Sequence, residues 1–245
     1  MQNYKVKSRY FINENFVNNL NIKIVESNYH HLKNVLRASI GDYFTIFNKE
    51  CGEYICQIVE ISKNYINAKI IEKTAQYKQP NIKTTIAFAP LKQDANAFVL
   101  EKATELGAND FINIITQKTV NKPQDIEKNW FKCKLASEQC KRLDVPSILQ
   151  QETLVNFLNK NTKPILWLNE KLLGSTITQW SKNEKLPPSE IILLFGPEGG
   201  FSLDEFEILK ADKLVHPIFL NTNILRAETA IVASLVSLYT AFGLM

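Results

Sequence analysis

No apolar run in this chain approaches the ~18 to 20 residues that a membrane-spanning helix needs. The polar start from Met1 to Arg9 lacks the apolar core of a signal peptide. The expected location is therefore cytoplasmic. Cysteine is scarce: Cys51, Cys56, Cys133 and Cys140 are too few and too irregularly spaced for a disulfide framework, and no pair forms a C-x-x-C metal knuckle. Glycine is scarce as well, yet of 8 in the chain three fall within five residues, at Gly196, Gly199 and Gly200. What is plentiful is apolar surface: 45% hydrophobic against 22% charged residues excludes general disorder. At ~150 residues per domain, 245 residues fit one large or two small domains. The net charge of +4 is unevenly placed, because residues 1–78 hold 11 Lys and Arg against 7 Asp and Glu while the rest balances. A basic front piece on a neutral body suits a polyanionic partner.

The first third reads as short strands, at Arg9 to Ile12, Asn21 to Val25, Tyr43 to Phe47, Tyr54 to Ile61 and Tyr65 to Ile71. Gly52 supplies a positive φ for a hairpin loop. One helix interrupts them, near Tyr29 to Ala38, with Asn28 as its cap and His31, Leu32, Val35 and Leu36 facing inward. This pattern predicts a compact β-barrel. The aperiodic polar stretch from Thr74 to Asn81 marks a boundary dividing 1–76 from 77–245. Beyond it, strand and helix alternate. Strands are expected at Thr85 to Ala89, Phe111 to Ile115, Ile165 to Leu168, Ile191 to Phe195 and Leu214 to Leu220, where Pro217 suggests a sheet edge or an irregular end. Helices are expected from Asp94 (as cap) to Gly107, over Trp130 to Cys140, and over Ala227 to Phe242. The alternation predicts an α/β sheet covered on both faces.

Ligands of such sheets sit beyond the C-terminal strand ends. After Phe195 comes Gly196-Pro197-Glu198-Gly199-Gly200, then Ser202-Leu203-Asp204-Glu205, a capping box that starts a helix. The loop is either a plain tight turn or a cradle for a neutral or cationic ligand. It has no Lys-Ser/Thr for a phosphate, and Glu198 would repel one. After Leu220 comes Asn221 to Ala230, where the two asparagines tolerate left-handed turns. Arg226, the only arginine beyond residue 142, either reaches a substrate or forms a structural salt bridge. In His30-His31-Leu32-Lys33-Asn34-Val35-Leu36-Arg37 the histidines point about 100° apart and suit no shared metal, whereas Lys33 and Arg37 line one side and suit phosphates.

Together and in order, these stretches resemble one family. Ser8-Arg9-Tyr10-Phe11, His30-His31-Leu32 with Val35-Leu36-Arg37, Glu101 to Gly107, Ser137-Glu138-Gln139-Cys140, Gly196 to Gly200 and Ile224 to Ala230 are similar to the RsmE family, 16S ribosomal RNA uridine-N3 methyltransferases of the SPOUT class. The resemblance implies an α/β protein with an N-terminal PUA-like RNA-binding β-barrel (1–76) and a C-terminal SPOUT-type trefoil-knot domain (77–245). It also implies a homodimer with a composite site, S-adenosylmethionine as methyl donor, and 16S rRNA or the small ribosomal subunit as partner, with no metal and no membrane. On that reading Leu168, Gly196, Glu198, Gly199, Gly200, Leu220, Asn221, Ile224 and Leu225 hold the donor. Arg226 stabilises an anionic uracil, Glu198 and Glu228 are candidate bases, and Arg9, Lys33 and Arg37 meet RNA. The chain departs from the family at Asn221, where a glycine is usual, and at Asn223, often basic. A ribose 2′-O-methyltransferase, a non-catalytic RNA-binding factor and a small-molecule enzyme are the alternatives.

Overall fold

Strand-forming residues crowd the first part of the chain, and in the computed structural model, which describes residues 4–17, 19–123, 125–169, 173–184 and 187–244, they build a sheet of their own. The chain divides into two units. The first runs to Gln79 and takes in Ser137–Val145, and the second holds Pro80–Ala136 and the chain from Pro146 onward. In the first, β1 (Val6–Phe11), β2 (Asn21–Ile24), β3 (Tyr43–Asn48), β4 (Gly52–Ile61) and β5 (Ile66–Ala75) lie in the order β1-β3-β4-β5-β2. The β1·β3 pair is parallel and the others are antiparallel. Among the described residues no pairing joins β1 to β2. Every strand contributes to one core, through Tyr10, Ile24, Phe44, Ile46, Cys56, Ile58, Ile66 and Ala68. Gly52 has the expected positive φ, and a Cβ there would lie 2.3 Å from the Ala75 carbonyl oxygen.

The helix of this unit differs from the expectation. Instead of starting after Asn28, α1 (Glu26–His30) begins at Val25 without a side-chain cap and passes into a π-helical turn, His31–Val35. The wide turn closes through Leu36 N–H to His31 O at 3.0 Å. The extra residue in the turn breaks the helical periodicity, so Leu32 is buried while Val35, expected inside, is 66% exposed.

The second unit has a wholly parallel sheet of β6 (Lys83–Phe88), β7 (Asp110–Ile115), β8 (Ser147–Ile148), β9 (Glu152–Thr153), β10 (Ile165–Leu168), β11 (Glu190–Phe195) and β12 (Val215–Ile218). Its order is β12-β10-β11-β6-β7-β8, with β9 also on β7. Ile112, Ile114, Trp167, Ile192 and Leu194 pack on one face with α4 (Leu154–Lys160) and α6 (Leu203–Ala211). Residues of opposite parity, Ile86, Phe111, Leu166 and Leu193, are equally buried, so both faces are covered. The remaining helices are α2 (Gln93–Glu105), α3 (Ile126–Gln139), α5 (Ile177–Asn183) and α7 (Ala227–Ala241). Helix α7 packs on β11 and against α2 and α5. Asp94 sits in the first turn of α2 and not at its cap, which is Lys92; the acid there still suits the positive end of the helix dipole.

β12 ends the sheet ladder, as Pro217 suggested, yet chain lies along both its edges. On one side Asn169 N–H donates to Ile218 O (2.8 Å). On the other, Ser175 N–H donates to Pro217 O (3.3 Å) and Phe219 N–H to Ser175 O (3.1 Å). The approach is close enough to require Gly174, whose φ is +89° and whose Cβ would fall 1.8 Å from Pro217 O. Among the described residues no helix is long and apolar enough to cross a membrane.

Candidate active site

Parallel strands put all their C-terminal ends on one edge of the sheet. The neighbour order β12-β10-β11 sets three exits side by side, with Leu168 at the middle one, between the Gly196–Gly200 loop and the Leu220–Arg226 segment. Seven of the predicted donor-site residues on these exits are thus brought to one side of one sheet: Leu168, Gly196, Glu198, Gly199, Gly200, Leu220 and Asn221. Ile224 and Leu225 follow on the same segment, Ile224 being 83% exposed and Leu225 half-buried.

The glycine loop is tightly built. Gly200 N–H donates to Pro197 O at 2.8 Å, and the φ of Gly200 is +65°. Gly196 lies under the Phe201 ring, 2.8 Å from the position of a Cβ. That ring stands edge-on to Trp167 of β10, with centroids 5.9 Å apart, which links the loop to the neighbouring strand. The capping box read from Ser202 and Glu205 is present in both halves. Glu205 is 5% exposed, and its other oxygen accepts from Gln117 N–H at 2.7 Å. Lys118 Nζ donates to the carbonyls of Gly199 (3.1 Å) and Phe201 (3.2 Å). Sequence reasoning found the capping box but not Gln117 or Lys118, because nothing local ties the exit of β7 to that of β11. Glu198 and Gly199 are exposed, and among the described residues their amides have no protein acceptor.

At the second exit the left-handed backbone that asparagine tolerates is not used. Neither Asn221 nor Asn223 is left-handed; among non-glycine described residues only Glu26, Arg37 and Lys141 have positive φ. Asn221 instead turns the chain with its side chain, whose Oδ1 accepts from Asn223 N–H at 3.4 Å. Arg226 is exposed at the N-cap of α7 and makes no side-chain cap bond. Among the described residues its guanidinium has no ion pair. Glu228 lies in the first turn of the same helix.

The three cations expected to meet RNA have different surroundings. Arg9 is turned into its own unit: it pairs with Glu53, donates to Ser137 O (2.8 Å) and to Arg142 O, and stacks 3.5 Å over Phe47. Its side chain is 10% exposed, so it is a structural residue. Lys33 is half-committed, donating to Tyr29 Oη (2.6 Å) and Ser62 O (3.0 Å). Arg37 is exposed at φ +48°, at the left-handed end of the π-helical turn that Ala38 N–H closes onto Leu32 O. The turn separates Lys33 from Arg37, which do not form the expected i,i+4 pair. The two histidines have separate partners, His31 with Tyr10 Oη (2.8 Å) and His30 with Asn34 (3.2 Å). Burial pushes the Tyr10 phenol up to about 12, which keeps it neutral beside the imidazole.

A family model described as an RNA methyltransferase domain matches residues 78–239, and one described as an RNA methyltransferase PUA domain matches residues 26–71. The ribosomal RNA small subunit methyltransferase E of Rickettsia conorii is 35% identical over 233 residues, 93% of each chain. That of Bacillus subtilis is 30% identical over 212 residues, 82% of each. The fold is shared with the ribosomal RNA small subunit methyltransferase E of Neisseria gonorrhoeae, solved bound to S-adenosyl methionine. That structure has a TM-score of 0.84 at 22% identity, covering 95% of this chain and 97% of that one. A Legionella pneumophila protein solved with bound SAM gives a TM-score of 0.86 at 24% identity, covering 96% and 98%.

Proposed function

Because this chain belongs to the family of the ribosomal RNA small subunit methyltransferases E, we propose that it transfers a methyl group from S-adenosylmethionine to N3 of one uridine near the 3′ end of 16S rRNA. The observation that carries this reading is the adjacency of three strand exits, one with a glycine loop, one ending at Leu168 and one leading to an arginine exposed at a helix N-cap.

The residues fit such a donor. The Glu198 and Gly199 amides have no protein acceptor among the described residues, and the Glu198 carboxylate complements a cation. Bound there, S-adenosylmethionine supplies an electrophilic methyl group on a positively charged sulfur. The backbone of Gly196–Gly200, Leu220–Asn221 and Ile224–Leu225, with Leu168 between, would orient it, and orientation is a major contribution to such a displacement. Uracil N3 becomes nucleophilic when its proton leaves. Arg226, charged at every relevant pH, stabilises the anion and cannot serve as the base. Glu198 and Glu228 are the carboxylates at these exits that could take the proton. N3 is hidden in a base pair, so the target must be unpaired or flipped out. Lys33 and Arg37 of the first unit would contact phosphates elsewhere on the RNA.

Finer features of the reading follow the family. The weave of β12 between β10 and Ser175 supports a trefoil knot. The shared core and the register shifts between β4 and β5 support a PUA-like barrel. Exposed Ile224 and Leu203 beside the exits support a homodimer with a composite site. The cytoplasm, where ribosomal subunits are assembled, is its place of action. The test is transfer of labelled methyl from S-adenosylmethionine to unmodified 16S rRNA and to small subunits, followed by nucleoside mass spectrometry. 3-Methyluridine is expected. A 2′-O-methyl product, or no transfer to either RNA, overturns the proposal.

A further inference from the structure

Two peptide planes of the glycine loop are each held at both ends. In the Gly199–Gly200 plane the carbonyl accepts from Lys118 Nζ at 3.1 Å and the N–H donates to Pro197 O at 2.8 Å. In the Phe201–Ser202 plane the carbonyl accepts from the same Nζ at 3.2 Å and the N–H donates to Glu205 Oε2 at 2.9 Å. A peptide unit is planar, so fixing both ends fixes its orientation. Glu205 Oε1 meanwhile accepts from Gln117 N–H at 2.7 Å, the residue before Lys118. The pair therefore fastens the exit of β7 to the loop leaving β11, across β6 between them. Glu205 makes its bonds at 5% exposure, where hydrogen bonds are strongest, whereas Lys118 makes its own at the exposed surface. The loop is left with the Glu198 and Gly199 amides facing no protein acceptor among the described residues.

We propose that Lys118 and Glu205 are positioning residues for methyl transfer: their clip between two strand exits aims the Glu198 and Gly199 amides at acceptor atoms of the methyl donor. This rests on the reading that the donor binds at the glycine loop. Neither residue need touch the donor; each acts through the loop backbone, as preorganisation requires. Lys118→Met keeps an aliphatic stem beside Gly199 and removes the ammonium. Calorimetry with S-adenosylmethionine on the full-length protein should show an affinity about tenfold weaker, the size of the two exposed hydrogen bonds lost from the loop. Donor KM should rise in step, with a smaller fall in kcat, an unchanged KM for RNA and an unchanged melting temperature. Lys118→Arg should restore binding, and Glu205→Gln, which leaves one acceptor oxygen for the Ser202 and Gln117 amides together, should weaken it. Wild-type donor affinity in Lys118→Met overturns the inference. So does a loss that accompanies a lowered melting temperature and is not rescued by arginine. Failure of the wild-type protein to bind S-adenosylmethionine would instead overturn the donor-site reading itself.

Discussion

Arginine occurs four times in the chain, at 9, 37, 142 and 226. Arg9 is bound within its unit, and Arg142 is held in a two-point pair with Asp144 at 3.0 Å. The other two are exposed and occupy positions where local chemistry disfavours them. Arg226 stands at a helix N-cap, a site that prefers Ser, Thr, Asp or Asn and repels a cation through the helix dipole. Arg37 has a left-handed backbone that costs a side chain other than Gly, Asn or Asp about 1 kcal/mol. Among the described residues neither side chain has an ion pair, and departures from local preference without a compensating contact are what functional sites tolerate. Arg226→Ala should lower turnover roughly 10²- to 10³-fold, the scale of losing one charge-stabilising group, with donor affinity unchanged by calorimetry. Normal turnover would sink its role. Arg37→Asn should leave the melting temperature equal or raised, because Asn accepts that backbone, while the slope of log affinity for RNA against log salt falls by about 1. An unchanged slope would remove Arg37 from the RNA contact.

At the scale of elements, the tightest constraint is the passage of β12 between β10 and Ser175. Gly174→Ala places a methyl group 1.8 Å from Pro217 O at a φ of +89°. We expect it to lower the melting temperature sharply and abolish donor binding, measured by thermal unfolding and calorimetry; Gly41→Ala, with a φ of +95° and nothing within 4 Å, should cost much less. The elements themselves were largely legible. Ile165 to Leu168 and Ile191 to Phe195 read as buried strands because parallel strands covered on both faces are unbroken apolar runs. The Ser202–Glu205 cap was legible because both its partners lie within one helical turn. What was hidden is non-local or degenerate. The order β12-β10-β11 leaves no trace in spacing, and neither does the Glu205 bond to Gln117. The fate of Arg9 depends on carbonyls more than a hundred residues away. The π-helical turn escaped because the apolar pattern around Leu32 is compatible with an α-helix, and the two differ in backbone bonds such as those of Leu36 to His31 and Ala38 to Leu32. Helices α4 and α5 are too short for periodicity to show.

At the scale of the whole molecule, the chain passes between its two units after Gln79, after Ala136 and after Val145. The first unit is thus discontinuous in sequence, and Ser137–Val145 supplies acceptors for Arg9 and, through Glu138, for the Phe11 amide at 3.0 Å. A fragment ending at Gln79 loses these hydrogen bonds, at about 0.5–3 kcal/mol each, although Arg9 keeps Glu53. It should melt without cooperativity by circular dichroism, and joining 137–145 through a flexible linker should restore a cooperative transition. A cooperative fragment without that strap would refute the dependence. The weave of β12 bears on biosynthesis. Both edges that flank it, β10 and Ser175, leave the translating ribosome well before Val215–Ile218 does. Final assembly must therefore insert a late strand between neighbours already made. The three adjacent exits of β12, β10 and β11 thus come together only once the last strand of the sheet to be synthesised has been threaded home.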